Sequence, residues 1–210
     1  MIKRFPIFCL IAVSALCFSQ IVHAQGNPQA ANFARQGAAA AKNKDWDKAV
    51  NAFRKAAELD RKNVPNLAAA LQQRAAAYTS EQKFPLAIAD LSEALETTPN
   101  DPGIYERRAY VEMKVNDYER ALADYSELIK LKPNEARYYL LRSYIFELKA
   151  DAPHAITDCD TVLRLQPGNA EAKARKQRLQ AQQAASQPGA PAPGSTIASP
   201  PPAATPGKTP

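Results

Sequence analysis

The chain has 210 residues, with 27 Lys and Arg against 21 Asp and Glu, a formal net charge of +6, seven glycines and two histidines. The excess sits at the ends: residues 1–24 hold +2, residues 170–185 hold +3 and the last stretch holds +1, which leaves 25–169 neutral. A neutral body lacks the basic face that grips phosphates, so nucleic acid is set aside as a partner.

The chain begins with a short basic start, Met1 to Arg4, and an apolar run from Phe5 to Phe18 interrupted by Pro6 and Ser14. Ser19 to Ala24 then ends on a small residue, so residues 1–24 read as a secretory signal cleaved between Ala24 and Gln25, with a periplasmic or secreted destination. The alternative is an uncleaved anchor on a membrane-tethered structural or assembly protein, since about 18 apolar residues can span a bilayer; Pro6, Ser14, Ser19 and Gln20 dilute that stretch. Cleavage would leave Cys159 and His154 as the sole cysteine and histidine, so no internal disulfide could form and membrane contact is not expected.

After a short linker at 25–29 the chain repeats itself. Ala49, Ala87, Ala121 and Ala155 stand 38, 34 and 34 residues apart, and four residues after them come Phe53, Leu91, Tyr125 and Cys159. Ala56, Ala94, Leu128 and Val162 follow three further on, the spacing of one helical face. Trp46, Phe84, Tyr118 and Ala152 precede the alanines by three, after polar turns, and Pro99, Pro133 and Pro167 end the helices. Upstream of each lies another stripe: Phe33, Leu71, Tyr105 and Tyr139, each followed four later by small Gly37, Ala75, Ala109 or Ser143. At the next slot stand Ala40, Tyr78, Glu112 and Phe146.

A bulky residue, a small one, an aromatic, then alanine, aromatic, alanine and proline at this period resemble the signature of the tetratricopeptide repeat family over 30–169, in units 30–63, 68–101, 102–135 and 136–169. The resemblance implies an all-α, right-handed superhelical solenoid of four helix pairs whose first helices line an inner groove. Arg61 replaces the first proline, and four extra residues, Val64 to Leu67, predict a lengthened helix over 65–82. One unit cannot bury its own apolar face, so the ends need polar covers; residues 170–185 suit a C-terminal capping helix with Leu179 as its apolar contact. Its positive charge could also meet an acidic surface or headgroups. The Pro- and Ala-rich stretch 186–210 reads as a disordered tail, a spacer or a ligand for an aromatic groove.

Arg74, Arg108 and Arg142 share one slot and Asp90, Asp124 and Asp158 another, while the first unit has Gln36 and Ala52 there. Joint loss predicts structural ion pairs, Arg74 with Asp90, Arg108 with Asp124 and Arg142 with Asp158. Residues one row from the packing stripe form the groove that the resemblance implies: Gln72, Glu106, Tyr110, Met113, Lys114, Arg137, Leu140 and Tyr144, with Ala31, Ala34 and Ala38 at the smooth amino end. Tyr110 and Tyr144 could anchor a peptide or could cover the capping helix. The family's carboxylate clamp, Lys and Asn at these positions, does not occur. No phosphate loop, nucleophile elbow or metal-binding helix is present, so no catalytic residue, metal or cofactor is expected. The expected role is non-enzymatic: a protein-protein interaction scaffold of the cell envelope, with a protein or peptide as partner and self-association left open.

Overall fold

The computed structural model describes residues 27–186. The signal expected at 1–24 and the tail expected beyond residue 186 lie outside the described residues. Among the described residues there are nine α-helices and no strand: α1 (Pro28–Lys42), α2 (Trp46–Leu59), α3 (Val64–Ser80), α4 (Phe84–Thr97), α5 (Pro102–Lys114), α6 (Tyr118–Leu131), α7 (Ala136–Leu148), α8 (Ala152–Leu165) and α9 (Ala170–Ala185). Each packs chiefly on its neighbours in sequence, giving four hairpins, α1–α2 to α7–α8, stacked in a row and closed by α9.

The turn inside each hairpin is the same object four times. Lys44, Gln82, Asn116 and Ala150 take φ of 57° to 59°. The amides that follow, of Asp45, Lys83, Asp117 and Asp151, donate back to the carbonyls of Ala40, Tyr78, Glu112 and Phe146 at 2.8–3.0 Å. This left-handed closure satisfies carbonyls that a helix end leaves free. Asp45, Asp117 and Asp151 then cap the second helix, each accepting from the amide three residues on. Lys83 stands at that slot in the second unit and makes no side-chain cap.

The four-residue insertion goes into regular structure. After a 3-10 turn at Arg61–Asn63, α3 runs 17 residues against 13 in α5 and in α7. Its added turn is anchored by buried Leu67. The helix starts one residue before the expected 65 and ends two before 82, because Gln82 already belongs to the left-handed closure.

Three apolar clusters form the core. One runs from the first unit into the third through Val50, Phe53, Leu71, Leu91, Ile104 and Val111, one joins the third to the fourth through Tyr125, Leu128 and Ile145, and a small one, Ala136, Cys159, Val162 and Ala172, lies under α9. That capping helix continues the 34-residue register: Ala172 and Leu179 stand one period after Tyr138 and Ile145, and all four are buried. On α9, Lys173, Gln177 and Gln180 occupy the slots that carry Tyr139, Ser143 and Phe146 on α7, so its outward side is polar where a following helix would need apolar contact. That is how a solenoid ends.

Candidate functional site

Between the two helices of the second, third and fourth units runs a ladder of buried charge. Arg74 Nε and Nη2 donate to the two oxygens of Asp90 at 2.8 Å each. Arg108 does the same to Asp124 at 2.9 and 2.7 Å, and Arg142 to Asp158 at 2.8 Å each. The three aspartates are buried. Bidentate geometry of this kind is what lets a guanidinium hold a buried carboxylate. The hydrogen bond to its aspartate is the main reason each arginine is held above its ordinary pKa, with burial opposing it.

The third arm of each guanidinium reaches backward. Arg74 Nη1 donates to Asp47 at 3.0 Å, Arg108 Nη1 to Ser92 at 3.0 Å and Arg142 Nη1 to Ser126 at 3.1 Å, all on the second helix of the preceding unit. Lys176 on α9, one period after Arg142, reaches Asp160 at 2.5 Å and extends the ladder onto the cap. Each tie therefore fixes two things, the helix pair within a unit and the seam to the unit before. Among the described residues no unit precedes the first, so a backward tie from the Gln36 slot has nothing to reach there.

On the inner face an opening lies between the second and third units, a cavity of about 600 Å³. Ala75, Ala76 and Thr79 on α3 and Gly103 on α5 leave the space, and Tyr110, 52% exposed, forms its aromatic wall. Gln72, Glu106 and Arg107 stand at its polar edge, with Leu91, Val111, Tyr125 and Leu141 deeper. Burial holds the Tyr125 phenol at a raised pKa of about 12, so it stays neutral there.

Three of the eight groove residues, Gln72, Glu106 and Tyr110, meet in this cavity. Two more join through them: Arg137 Nη2 donates to Glu106 at 2.8 Å, and Lys114 Nζ lies 5.1 Å from the centre of the Tyr110 ring. Met113 is half-buried against the core of the third and fourth units. Leu140 and Tyr144 belong with the cap: Leu140 packs on the cluster under α9, and the Arg175 guanidinium lies 5.4 Å from the Tyr144 ring. Tyr144 is still 41% exposed. The sequence placed the bulky part of the groove toward the carboxyl end; the open space lies further toward the amino end, because a cavity forms where side chains are small.

Charge on this face is unevenly paired. Glu106 is taken by Arg137, and Glu147 by Arg175 and Arg178 of α9 at 3.0 and 2.6 Å. Arg107 and Lys114 have no ion-pair partner among the described residues. Arg107 was missed in the sequence because it stands one position from the row used to trace the groove. Elsewhere His154 is exposed, stacked on Phe146 and 2.8 Å from Asp151, and Cys159 is a buried thiol whose pKa burial raises. Among the described residues no group of three or more His, Cys, Asp or Glu could hold a metal, and no helix is long and apolar enough to cross a membrane.

No curated protein matches the chain by sequence. The tetratricopeptide repeat family model matches residues 107–170. Among solved structures, a tetratricopeptide repeat protein from Parabacteroides merdae superposes with a TM-score of 0.57 at 18% identity, covering 74% of this chain and 62% of its own. The MamA protein gives 0.54 at 16% identity, with 74% and 82% covered. The first such domain of Spaghetti (RPAP3), bound to an HSP90 peptide of sequence SRMEEVD, gives 0.50 at 21% identity, with 56% and 93% covered. The family match over the third and fourth units supports the tetratricopeptide repeat family for this chain, and the superpositions show that its described residues have that family's all-α solenoid fold.

Proposed function

We propose that this protein is a non-enzymatic scaffold that holds a peptide or an extended segment of a partner protein along its first helices, in the cavity between the second and third units. The observation that carries this reading is the cavity itself: an opening of about 600 Å³ with a half-exposed tyrosine facing the small residues of α3, and at its edge Arg107, which has no ion-pair partner among the described residues. Openings of this size with an apolar wall and few polar groups are what binding sites look like, and tyrosine and arginine are the residues that dominate binding energy at such places. With Glu106 neutralised by Arg137, the residual charge is positive. The ligand that fits presents an apolar side chain to Tyr110 and an acidic group to Arg107. The Spaghetti structure, a solenoid of the same fold, carries a peptide; it supplies precedent for the use of the fold, while the residues argued here are this chain's own.

The cellular setting is part of the proposal and rests on residues 1–24: export through a cleaved signal, to the periplasm or outside. Intact mass of the exported protein tests it, with Gln25 expected as the first residue and an unprocessed mass favouring the membrane-tethered reading.

Selection from a displayed random-peptide library on the full-length protein tests the groove. Enriched peptides should pair an aromatic or aliphatic residue with a nearby Asp or Glu. Tyr110→Ala should weaken the best of them by about 30-fold, a loss of about 2 kcal/mol, and Tyr144→Ala should do much less. Equal affinity for wild type and Tyr110→Ala discards the groove and leaves the fold intact.

A further inference from the structure

Glu112 is the one buried carboxylate of the third unit that the ladder does not use. It is 1% exposed, and its Oε2 has no hydrogen-bond partner, the only such buried side-chain atom among the described residues. The corresponding slots hold Ala40, Tyr78 and Phe146, so nothing in the repeat requires a carboxyl group there. Its Oε1 lies 3.8 Å from Arg108 Nε, too long for a hydrogen bond. Each nitrogen of Arg108 is already engaged: Nε and Nη2 are on Asp124 and Nη1 is on Ser92 of α4.

The charged groups around Glu112 come from each element beside it. Arg108 is on its own helix, Asp124 and Arg120 are on α6, and Asp117 is in the turn between them. On α4 the contact to Arg108 is made by Ser92, while Asp90 and Glu93 are engaged by Arg74 and Arg54. Burial first, then the Asp124 charge, pushes the Glu112 carboxyl up to about 8, with Arg108 opposing. An ionised carboxylate in this place has Arg108 as its nearest guanidinium, with Arg120 of α6 a weaker attraction.

We infer that Glu112 is a proton-controlled brace: when neutral it leaves Arg108 wholly to Asp124 and Ser92 and the seam between the second and third units closed, and when ionised it competes for that guanidinium and loosens the seam. The cavity opens on this seam, with Val111 beside Glu112 in its lining, so ligand affinity falls as Glu112 ionises; this consequence alone rests on the groove reading above.

The sign follows from the direction of the shift. Between the ordinary carboxyl range and about 8 the folded chain holds a proton that the unfolded chain has released. Stability from this group is complete below the unfolded value and is lost as pH rises through the folded one.

The test uses the full-length protein without ligand. Carbon NMR of 13C-labelled glutamate, with the Glu112 signal assigned by its loss in Glu112→Gln, should show a midpoint well above the ordinary glutamate value, and the Arg108 Nε–H signal should move with the same midpoint. Urea unfolding between pH 5.5 and 8 should show the wild-type folding constant falling by up to about tenfold per pH unit relative to Glu112→Gln; Glu112→Met serves as the second reference should the amide variant fold poorly. An ordinary Glu112 midpoint, an Arg108 signal that does not follow it, or wild-type and variant profiles that run parallel overturns the brace. Because no peptide is present, these results are independent of whether the groove binds one.

Discussion

The first unit and the third do the same structural job by different means. The third is tied by Arg108, which holds Asp124 within the unit and Ser92 in the unit before. The first has no arginine at that slot and closes by contact: a Cβ on Gly37 would lie 2.9 Å from three ring atoms of Phe53. Its seam to the second unit is made by charges placed elsewhere, Arg54 on Glu93 and Arg74 on Asp47. A tie that serves a seam is dispensable where no seam exists, and among the described residues no unit precedes the first.

The largest break comes from the third unit. Asp124→Ala strands a mostly buried guanidinium and should cost about 3 kcal/mol, at the lower end for a broken buried pair because Arg108 keeps some solvent. Replacing both partners, Arg108→Met with Asp124→Leu, should recover most of that loss in urea unfolding, since apolar groups of similar volume need no partner. If the double replacement is as damaging as the single one, the tie contributes more than mutual neutralisation. The corresponding loss in the first unit comes from Gly37→Ala. The added methyl forces Phe53 aside at about 1–3 kcal/mol, partly offset by about 1 kcal/mol of helix propensity, so a net loss near 1 kcal/mol is expected by the same measurement. A neutral or stabilising result would mean that the close approach is slack.

Much of this contrast is legible in the amino-acid order. The period placed the helices, and the joint absence of Arg and Asp at Gln36 and Ala52 pointed to the pairing. The backward reach to Asp47, Ser92 and Ser126 was not legible, because Asp and Ser stand among many polar surface residues and only the stacking brings them within 3.1 Å. Glu112 did leave a signal, a carboxylate at a slot that holds Tyr78 and Phe146. Taken as a departure in size, its meaning lies in its charge. The cavity could not be read from the large residues of the inner row, since it depends on Ala75 and Ala76 lying opposite Gly103 and Tyr110 across a seam.

A smaller effect separates the two halves of one tie. Asp47 is well exposed, so Asp47→Ala should cost no more than about 1 kcal/mol, while Asp90→Ala, which removes the buried partner of the same Arg74, should resemble Asp124→Ala. Equal losses for the two would show that the seam, and not the hairpin, is what Arg74 chiefly secures.

The smallest effect tests what the first and fourth units have in common. Their inner turns both place a residue other than glycine at positive φ, 58° at Lys44 and 57° at Ala150. An L-residue there carries a Cβ crowded by the following carbonyl, at about 1–2 kcal/mol, and glycine does not. Glycine in turn gives up more backbone freedom on folding, by about 0.5–1 kcal/mol, so Lys44→Gly and Ala150→Gly should each stabilise by about 0.5 kcal/mol. The two gains should match, because the amide-to-carbonyl closures from Asp45 to Ala40 and from Asp151 to Phe146 differ by only 0.2 Å in length. A gain at one turn and a loss at the other would show that side-chain packing, which differs between these units, reaches into a turn whose backbone does not.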